Sequence, residues 1–122
     1  MAESLFDRYG GFSTVSRIVS DFYGRVRESD TLMPYFSHVE MHTLIDHQTK
    51  FIATLMGGPT SYTNEHLRRV HSHLDITSGA FDEGCMLLRE TLEDHDVDET
   101  DIGTIVAAFR GHRDQVVVER VT

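Results

Sequence analysis

Histidines are numerous in this chain, with eight copies among 122 residues. An imidazole nitrogen is a common ligand of metal ions and of haem iron, so the excess favours metal-centred chemistry. One of them, His71, follows Val70 on the apolar side of a short predicted helix. Two other polar residues, Tyr23 and Gln48, also lie on or beside apolar stripes. The spacing therefore predicts three inward polar side chains, each on a different helix.

The helix that must position Tyr23 begins after the Gly10-Gly11 pair, which interrupts any earlier helix. From Ser13 onward, apolar side chains recur at steps of three and four residues, at Val15, Ile18, Val19, Phe22 and Val26. Tyr23 stands four residues after Val19, so its ring can turn inward and carry the hydroxyl at its tip. Pro34 interrupts the next segment, which predicts a short helical corner over residues 32–36.

Gln48 lies on the apolar stripe of a second predicted helix, from about Glu40 to Met56. The members of that stripe are Met41, Leu44, Gln48, Phe51, Ile52 and Leu55. Gly57-Gly58-Pro59 then ends the helix, because glycine can adopt a left-handed conformation and proline cannot continue a helix.

Three further helices are predicted in the second half of the chain. Asn64 caps one whose inward positions are Leu67, Val70, His71 and Leu74. Thr77 caps the next, which carries Phe81, Cys85, Leu88 and Leu92. The acidic stretch from Glu93 to Asp101 is interpreted as a solvated loop. The last helix contains Ile102, Ile105, Val106, Phe109 and Val116. The pattern predicts an all-α fold in one domain over residues 1–122.

The overall composition limits the possible partners. A formal net charge of −9 argues against nucleic acid, because phosphate binding needs clustered lysine and arginine. No apolar run approaches the ~18 residues of a membrane span and no secretory signal is visible, so we expect a cytoplasmic protein without a membrane partner. The single cysteine, Cys85, is expected to be a small buried apolar residue.

Several short motifs follow one another in a recognisable order along nearly the whole chain. They are Gly10-Gly11, Asp21-Phe22-Tyr23, Tyr35-Phe36, His47-Gln48, Gly57-Gly58-Pro59, Tyr62-Thr63, Val70-His71, Ile76-Thr77 and Phe81. Each is weak alone, but their order and separations resemble the truncated haemoglobins of group I. The resemblance implies a two-over-two helical sandwich around haem b.

The resemblance also implies roles for particular residues. His71 matches the proximal iron ligand, and Tyr23 and Gln48 match the distal pair that donates hydrogen bonds to a partly negative bound gas. Phe36 matches a phenylalanine that packs on the haem face, and Leu44 matches a further distal position. The remaining expected haem contacts are Phe51, Leu55, Leu67, Ile76 and Phe81.

Three positions allow more than one interpretation. His47 either lies near solvent or a haem propionate, or binds iron as a sixth ligand, as a matching histidine does in some cyanobacterial and algal relatives. His112 is either a surface histidine or the site of a covalent bond to haem, as in certain relatives. Gly84 stands where some relatives have a larger pocket residue, and its small size either leaves a gas passage or permits close helix packing. We favour packing for Gly84.

The function implied by the resemblance is reversible binding of dioxygen, nitric oxide or another diatomic gas. Oxidation of nitric oxide to nitrate is a further expectation, and it requires an unidentified reductase as partner. One alternative is a six-coordinate haem protein that uses His71 and His47 for electron transfer or for redox or gas sensing. Another is a haem-free module that binds a partner protein. We expect a monomer or a weak dimer.

Overall fold

Five α-helices and one 3₁₀ turn form the regular structure of residues 4–36, 40–58 and 76–113, which the computed structural model describes. The elements are α1 (Leu5–Arg8), α2 (Gly11–Glu28), the 3₁₀ turn (Met33–Phe36), α3 (Met41–Leu55), α4 (Ser78–Asp94) and α5 (Glu99–Arg110). These residues contain no β-strand, which confirms the predicted all-α class. None of the described helices is long and apolar enough to cross a bilayer.

The four long helices form two layers. Helix α2 packs against α3 in one layer and α4 packs against α5 in the other, while α2 contacts α4 and α3 contacts α5 across the interface. This arrangement confirms the predicted two-over-two sandwich. The core between the layers includes Val15, Ile18, Val19, Cys85, Leu88, Leu92, Ile102 and Ile105, each at most 1% exposed. Burial raises the pKa of the Cys85 thiol, as expected for an inert buried cysteine.

Local sequence explains where the long helices begin. Gly10 precedes α2 with φ of 106°, and a Cβ there would lie 2.5 Å from Thr14 Oγ1, so only glycine fits.

The Glu40 carboxylate precedes α3 and accepts hydrogen bonds from the backbone N–H groups of His42 at 3.1 Å and Thr43 at 2.6 Å. Hydrogen bonds from the side chain and then the backbone of Thr43 lower the pKa of Glu40. Thr77 Oγ1 accepts from the N–H of Ala80 at 3.1 Å, which confirms the predicted cap of α4.

The acidic stretch from Glu93 to Asp101 is mostly helical, so its interpretation as a loop is wrong at both ends. Helix α4 continues to Asp94 and α5 begins at Glu99, which leaves only residues 95–98 as the connection. Glu99 and Asp101 occupy the first turn of α5, where the positive end of the helix dipole favours negative charge. The predicted helix around His71 and the predicted core residue Val116 lie outside the described residues.

Helix α1 is held against the start of α5 by Tyr9. The Tyr9 hydroxyl donates to Asp101 Oδ2 at 2.6 Å and accepts from the N–H of Asp98 at 3.2 Å. Arg8 Nη2 donates to the same carboxylate oxygen at 2.6 Å. Desolvation and the hydrogen bond to Asp101 raise the pKa of Tyr9. The short first helix is therefore fixed by polar contacts as well as by the buried Phe6.

Candidate functional site

An apolar cleft with two polar side chains lies between the helix layers. Its polar lining residues are Tyr23 from α2 and Gln48 from α3. The other lining residues are Phe22, Val26, Leu32, Phe36, Phe51, Ile76, Ala80, Phe81, Gly84 and Phe109. A mostly apolar concave surface with a few convergent polar groups is the usual form of a cofactor or small-ligand site.

Tyr23 is held in this cleft by aromatic contacts. Its ring packs edge-on against Phe22 at a centroid distance of 4.9 Å and against Phe36 at 5.7 Å. The side chain is 6% exposed, and no hydrogen bond to its hydroxyl is found in the described part of the chain. Burial raises the pKa of the phenol well above its ordinary value. Tyr23 is therefore a neutral hydrogen-bond donor throughout the physiological pH range.

Gln48 is the second buried polar group without a protein partner. It is 7% exposed, and within residues 4–36, 40–58 and 76–113 no hydrogen bond to its carboxamide is found. Neither polar end is among the buried unsatisfied atoms of the described residues, so both remain accessible from the cleft. Two accessible polar groups without protein partners in one cleft can hydrogen-bond to a ligand or to water.

The opposite wall, on α4 and α5, is built from flat apolar surfaces. The rings of Phe81 and Phe109 stack at 5.4 Å with an interplanar angle of 7°, and Phe51 from α3 lies 6.1 Å from Phe109. Flat aromatic walls suit a flat apolar group such as a porphyrin. The apolar wall therefore fits haem, and Tyr23 and Gln48 opposite it fit a small polar ligand of the haem.

Comparison with known proteins decides the family. The bacterial-like globin family matches residues 4–117. A group 1 truncated haemoglobin from Synechocystis is 31% identical over 112 residues, covering 88% of this chain and 90% of the relative. The chain belongs to the group 1 truncated haemoglobins. These are haem-binding globins with small gas ligands.

Two further relatives show how far the likeness extends. A group 1 truncated haemoglobin from Mycolicibacterium paratuberculosis is 35% identical over 78 residues, or 64% of this chain, and the match spans only 57% of that relative's length. The crystal structure of a 2/2 haemoglobin from Synechococcus, with covalently attached haem, has a TM-score of 0.87 and 26% identity. That superposition covers 94% of this globin and 98% of the Synechococcus chain.

The structure brings together six of the residues that were predicted to bind haem or gas. The cleft of this globin is lined by Tyr23, Phe36, Gln48, Phe51, Ile76 and Phe81. Leu44 and Leu55 are half-buried against the hydrophobic core and do not line the cleft. His47 is exposed on α3 and also lies outside the lining. The predicted contacts Leu67 and His71 fall outside the described residues.

His112, just after the end of α5, contacts an aromatic residue of the cleft without lining the cleft itself. Its ring packs edge-on against Phe51 at 5.4 Å with an interplanar angle of 74°. Its Nδ1 atom is buried, and no hydrogen-bond partner for it exists in the described part of the chain. The interpretation of His112 as a fully solvated surface histidine is therefore wrong.

Sequence reasoning assigned several other lining residues to the core without assigning them to the site. Phe22, Val26 and Phe109 belong to the predicted apolar stripes, but a stripe does not show which of its members face a cleft. Ala80 and Leu32 were not singled out, although Ala80 directly precedes the predicted Phe81. The expectation that Gly84 permits close helix packing is wrong, because a Cβ there would meet nothing within 4 Å among the described atoms.

Proposed function

We propose that this globin binds haem b in the cleft and reversibly binds dioxygen or another diatomic gas beside Tyr23 and Gln48. The observation that carries the proposal is this pair of buried polar side chains, which have no partner among the described residues and face an otherwise apolar lining. When bound, haem supplies the iron that takes the gas and its redox chemistry. The chain supplies the binding surface, the hydrogen bonds and the exclusion of water.

Each polar side chain has a role that follows from its chemistry. Tyr23 donates one hydrogen bond through its protonated hydroxyl, and Phe36 and Phe22 restrict the movement of its ring. Gln48 offers two N–H donors and a carbonyl acceptor, so it can bond both to the gas and to the Tyr23 hydroxyl. His71 is proposed as the iron ligand on the family resemblance.

The finer activity that we propose is the oxidation of nitric oxide by dioxygen to nitrate. Nitric oxide, dioxygen and one electron together give the nitrate anion. Each turnover therefore takes one electron from the reduced cofactor, and a reductase must return that electron. The apolar lining supports this proposal because both reactants are small, weakly polar gases that partition into apolar space. The donors Tyr23 and Gln48 would stabilise the negative charge that develops on oxygen.

Optical spectra of the reconstituted protein test the haem proposal. We expect wild type to bind one haem per chain, His71→Leu to lose most of it, and His42→Leu, at an exposed position on α3, to bind haem as wild type does. Full haem content with an unchanged spectrum in His71→Leu would show that another residue holds the iron. A colourless wild type after haem supplementation would contradict haem binding itself.

The same spectra decide between five- and six-coordinate iron. We propose the five-coordinate ferrous form, because His47 is exposed and outside the cleft lining, so it could reach iron only if α3 moved. Sharp low-spin bands without added ligand, lost in His47→Ala, would instead establish the electron-transfer or sensing alternative.

A covalent link from His112 to haem is the second proposal about the cofactor. It is supported by the contact of the half-buried His112 ring with Phe51, a cleft residue, and by the buried Nδ1 atom, which has no partner among the described residues. The similar Synechococcus haemoglobin carries covalently attached haem. The mass of the denatured polypeptide should then include haem in wild type but not in His112→Ala. Haem that is fully extracted from wild type by acidified organic solvent would contradict the link.

A further inference from the structure

An open groove on the outer side of α2 and α4 combines acidic and apolar side chains. It extends from the last turn of α2, through the turn that follows, to the middle of α4. Its acidic and apolar lining residues are Glu28, Asp30, Glu83, Glu90, Met86 and Leu87. None of the groove residues lines the haem cleft. We call this second concave surface the acidic groove.

The negative charge of the acidic groove is only partly neutralised within the protein. Arg25 is the cationic residue of its lining, and its guanidinium lies 3.6 Å from the Glu90 carboxylate. Within the described residues, no ion pair to Glu28, Asp30 or Glu83 is found. Glu28 and Asp30 are also exposed, so their carboxylates are available to a partner. The groove therefore presents a net negative charge to solvent.

The apolar residues of the groove give this charged surface the composition of a protein interface. Met86 is 51% exposed and its neighbour Leu87 is half-buried. An apolar centre with a charged rim is the usual anatomy of an interface, and methionine is enriched there. A second copy of this chain would bring the same carboxylates and be repelled, whereas lysine and arginine side chains would be attracted. The groove thus fits a basic partner protein.

The acidic groove and the haem cleft lie on opposite sides of the contact between α2 and α4. Val26 and Leu32 line the cleft, whereas the residues between them, from Glu28 to Thr31, line the groove. A partner in the groove would therefore lie against the outer side of a helix pair whose inner side lines the cleft. This position suits an electron donor, because electron transfer requires proximity to the cofactor but no direct contact with it.

We propose that the acidic groove is the docking surface of the electron-donating reductase. The reductase presents lysine or arginine side chains to Glu28 and Asp30, and an apolar side chain to Met86. One electron leaves the reduced cofactor of the reductase, and it restores the ferrous iron that nitric oxide oxidation has converted to ferric iron. The inference rests on the proposed function and deepens it by assigning the surface and the charge of its partner.

Ferric cytochrome c serves as the probe, because it is a lysine-rich redox protein that accepts one electron from the ferrous globin. Stopped-flow spectra give the bimolecular rate constant. In the double variant Glu28→Gln/Asp30→Asn we expect this constant to fall about three- to tenfold at low ionic strength, with little difference from wild type at about 0.5 M salt. The matched control, Asp7→Asn/Asp96→Asn, removes two exposed carboxylates outside the groove and should stay within about twofold of wild type. Equal slowing in both double variants would show that only net charge matters and would overturn the proposal.

The apolar contact is tested by shortening two exposed methionines. Met86→Ala should slow electron transfer to cytochrome c about threefold, and this effect should persist at high salt because it is not electrostatic. Met33→Ala is the matched control, since Met33 is 45% exposed and lies outside the groove. It should leave the rate constant unchanged. Equal effects of the two substitutions would contradict docking at Met86.

Amide chemical shifts separate this inference from the haem proposal, since they can be measured with or without haem. Addition of cytochrome c to isotope-labelled globin should shift the signals of residues 25–31 and 83–90 more than those of the rest of the chain. Shifts centred on another surface would overturn the docking proposal. A wild type that binds no haem, or that does not oxidise nitric oxide, yet still shows the groove shifts would contradict only the proposed function.

Discussion

The two walls of the cleft are built on different principles. The wall from α2 and α3 carries Tyr23 and Gln48, whose polar groups have no partner within the described residues. The wall from α4 and α5 is entirely apolar, and its Phe81 and Phe109 rings are fixed by stacking. The first wall carries unsatisfied polar groups that a ligand can satisfy, and the second contributes buried apolar area. Binding and stability are therefore expected to depend on different walls.

Two tyrosines show the same contrast on a smaller scale. Tyr9 has hydrogen bonds to Asp101 and from Asp98, so its hydroxyl is satisfied within the protein. The Tyr23 side chain is more deeply buried, and no partner of its hydroxyl is found in the described part of the chain. A satisfied hydroxyl stabilises the fold, whereas an unsatisfied one is available to a ligand.

The largest expected effect is on the apolar wall. Phe81→Ala should lower the free energy of unfolding of the apoprotein by about 3–5 kcal/mol, because it removes a buried ring and leaves a cavity. Phe81 is 4% exposed, while Phe12, the control, is 41% exposed, so Phe12→Ala should have a clearly smaller effect. Urea unfolding followed by circular dichroism provides the measurement. A similar loss of unfolding free energy in both variants would contradict the larger contribution of the apolar wall to stability.

The polar wall should govern ligand kinetics. Tyr23→Phe and Gln48→Leu should each speed dioxygen dissociation roughly 5- to 30-fold, since each removes a hydrogen bond of about 1–2 kcal/mol. If the two donors share one network, the double variant should raise the dissociation rate by less than the product of the two single effects. Stopped-flow dissociation measures the rates. Unchanged rates in both single variants would contradict the role of this wall.

Tyr9→Phe is expected to show the opposite behaviour to Tyr23→Phe. It should lower the stability of the apoprotein by about 1 kcal/mol, because Asp101 and the Asp98 N–H each lose a hydrogen-bond partner. Dioxygen dissociation should stay as in wild type, since Tyr9 does not line the cleft. Tyr23→Phe should leave apoprotein stability unchanged or higher. If both variants destabilise the apoprotein equally, the Tyr23 hydroxyl has a protein partner after all.

The last expected effect, absent at neutral pH, is the dependence of stability on alkaline pH. The pKa values of Tyr9 and Tyr23 are raised in the folded protein. Their stabilising contribution is complete below the unfolded tyrosine pKa of about 10, and it falls as pH rises above that value. Urea unfolding at a series of alkaline pH values should show a shallower decline in Tyr23→Phe than in wild type. An unchanged slope would contradict the raised pKa of Tyr23.

The local sequence was sufficient to predict most of the helices and the inward position of the key polar side chains. Glycine marks the start of α2 and the end of α3, Thr77 marks the start of α4, and helical periodicity places Tyr23 and Gln48 on inward faces. These features depend on backbone conformation and on spacing along one helix, so they can be read from neighbouring residues. The acidic end of α4 was missed because charge alone cannot separate a solvated helix from a loop.

Only the tertiary structure decided which inward residues share the cleft and which polar groups find partners. Leu44 and Leu55 lie on the same predicted stripe as Gln48 and Phe51, yet they pack against the core outside the cleft. The stacking of the Phe81 ring on Phe109 depends on where α5 lies relative to α4, which does not follow from helix spacing. Periodicity defines one face of one helix, whereas a cavity is the space that several helices leave between them.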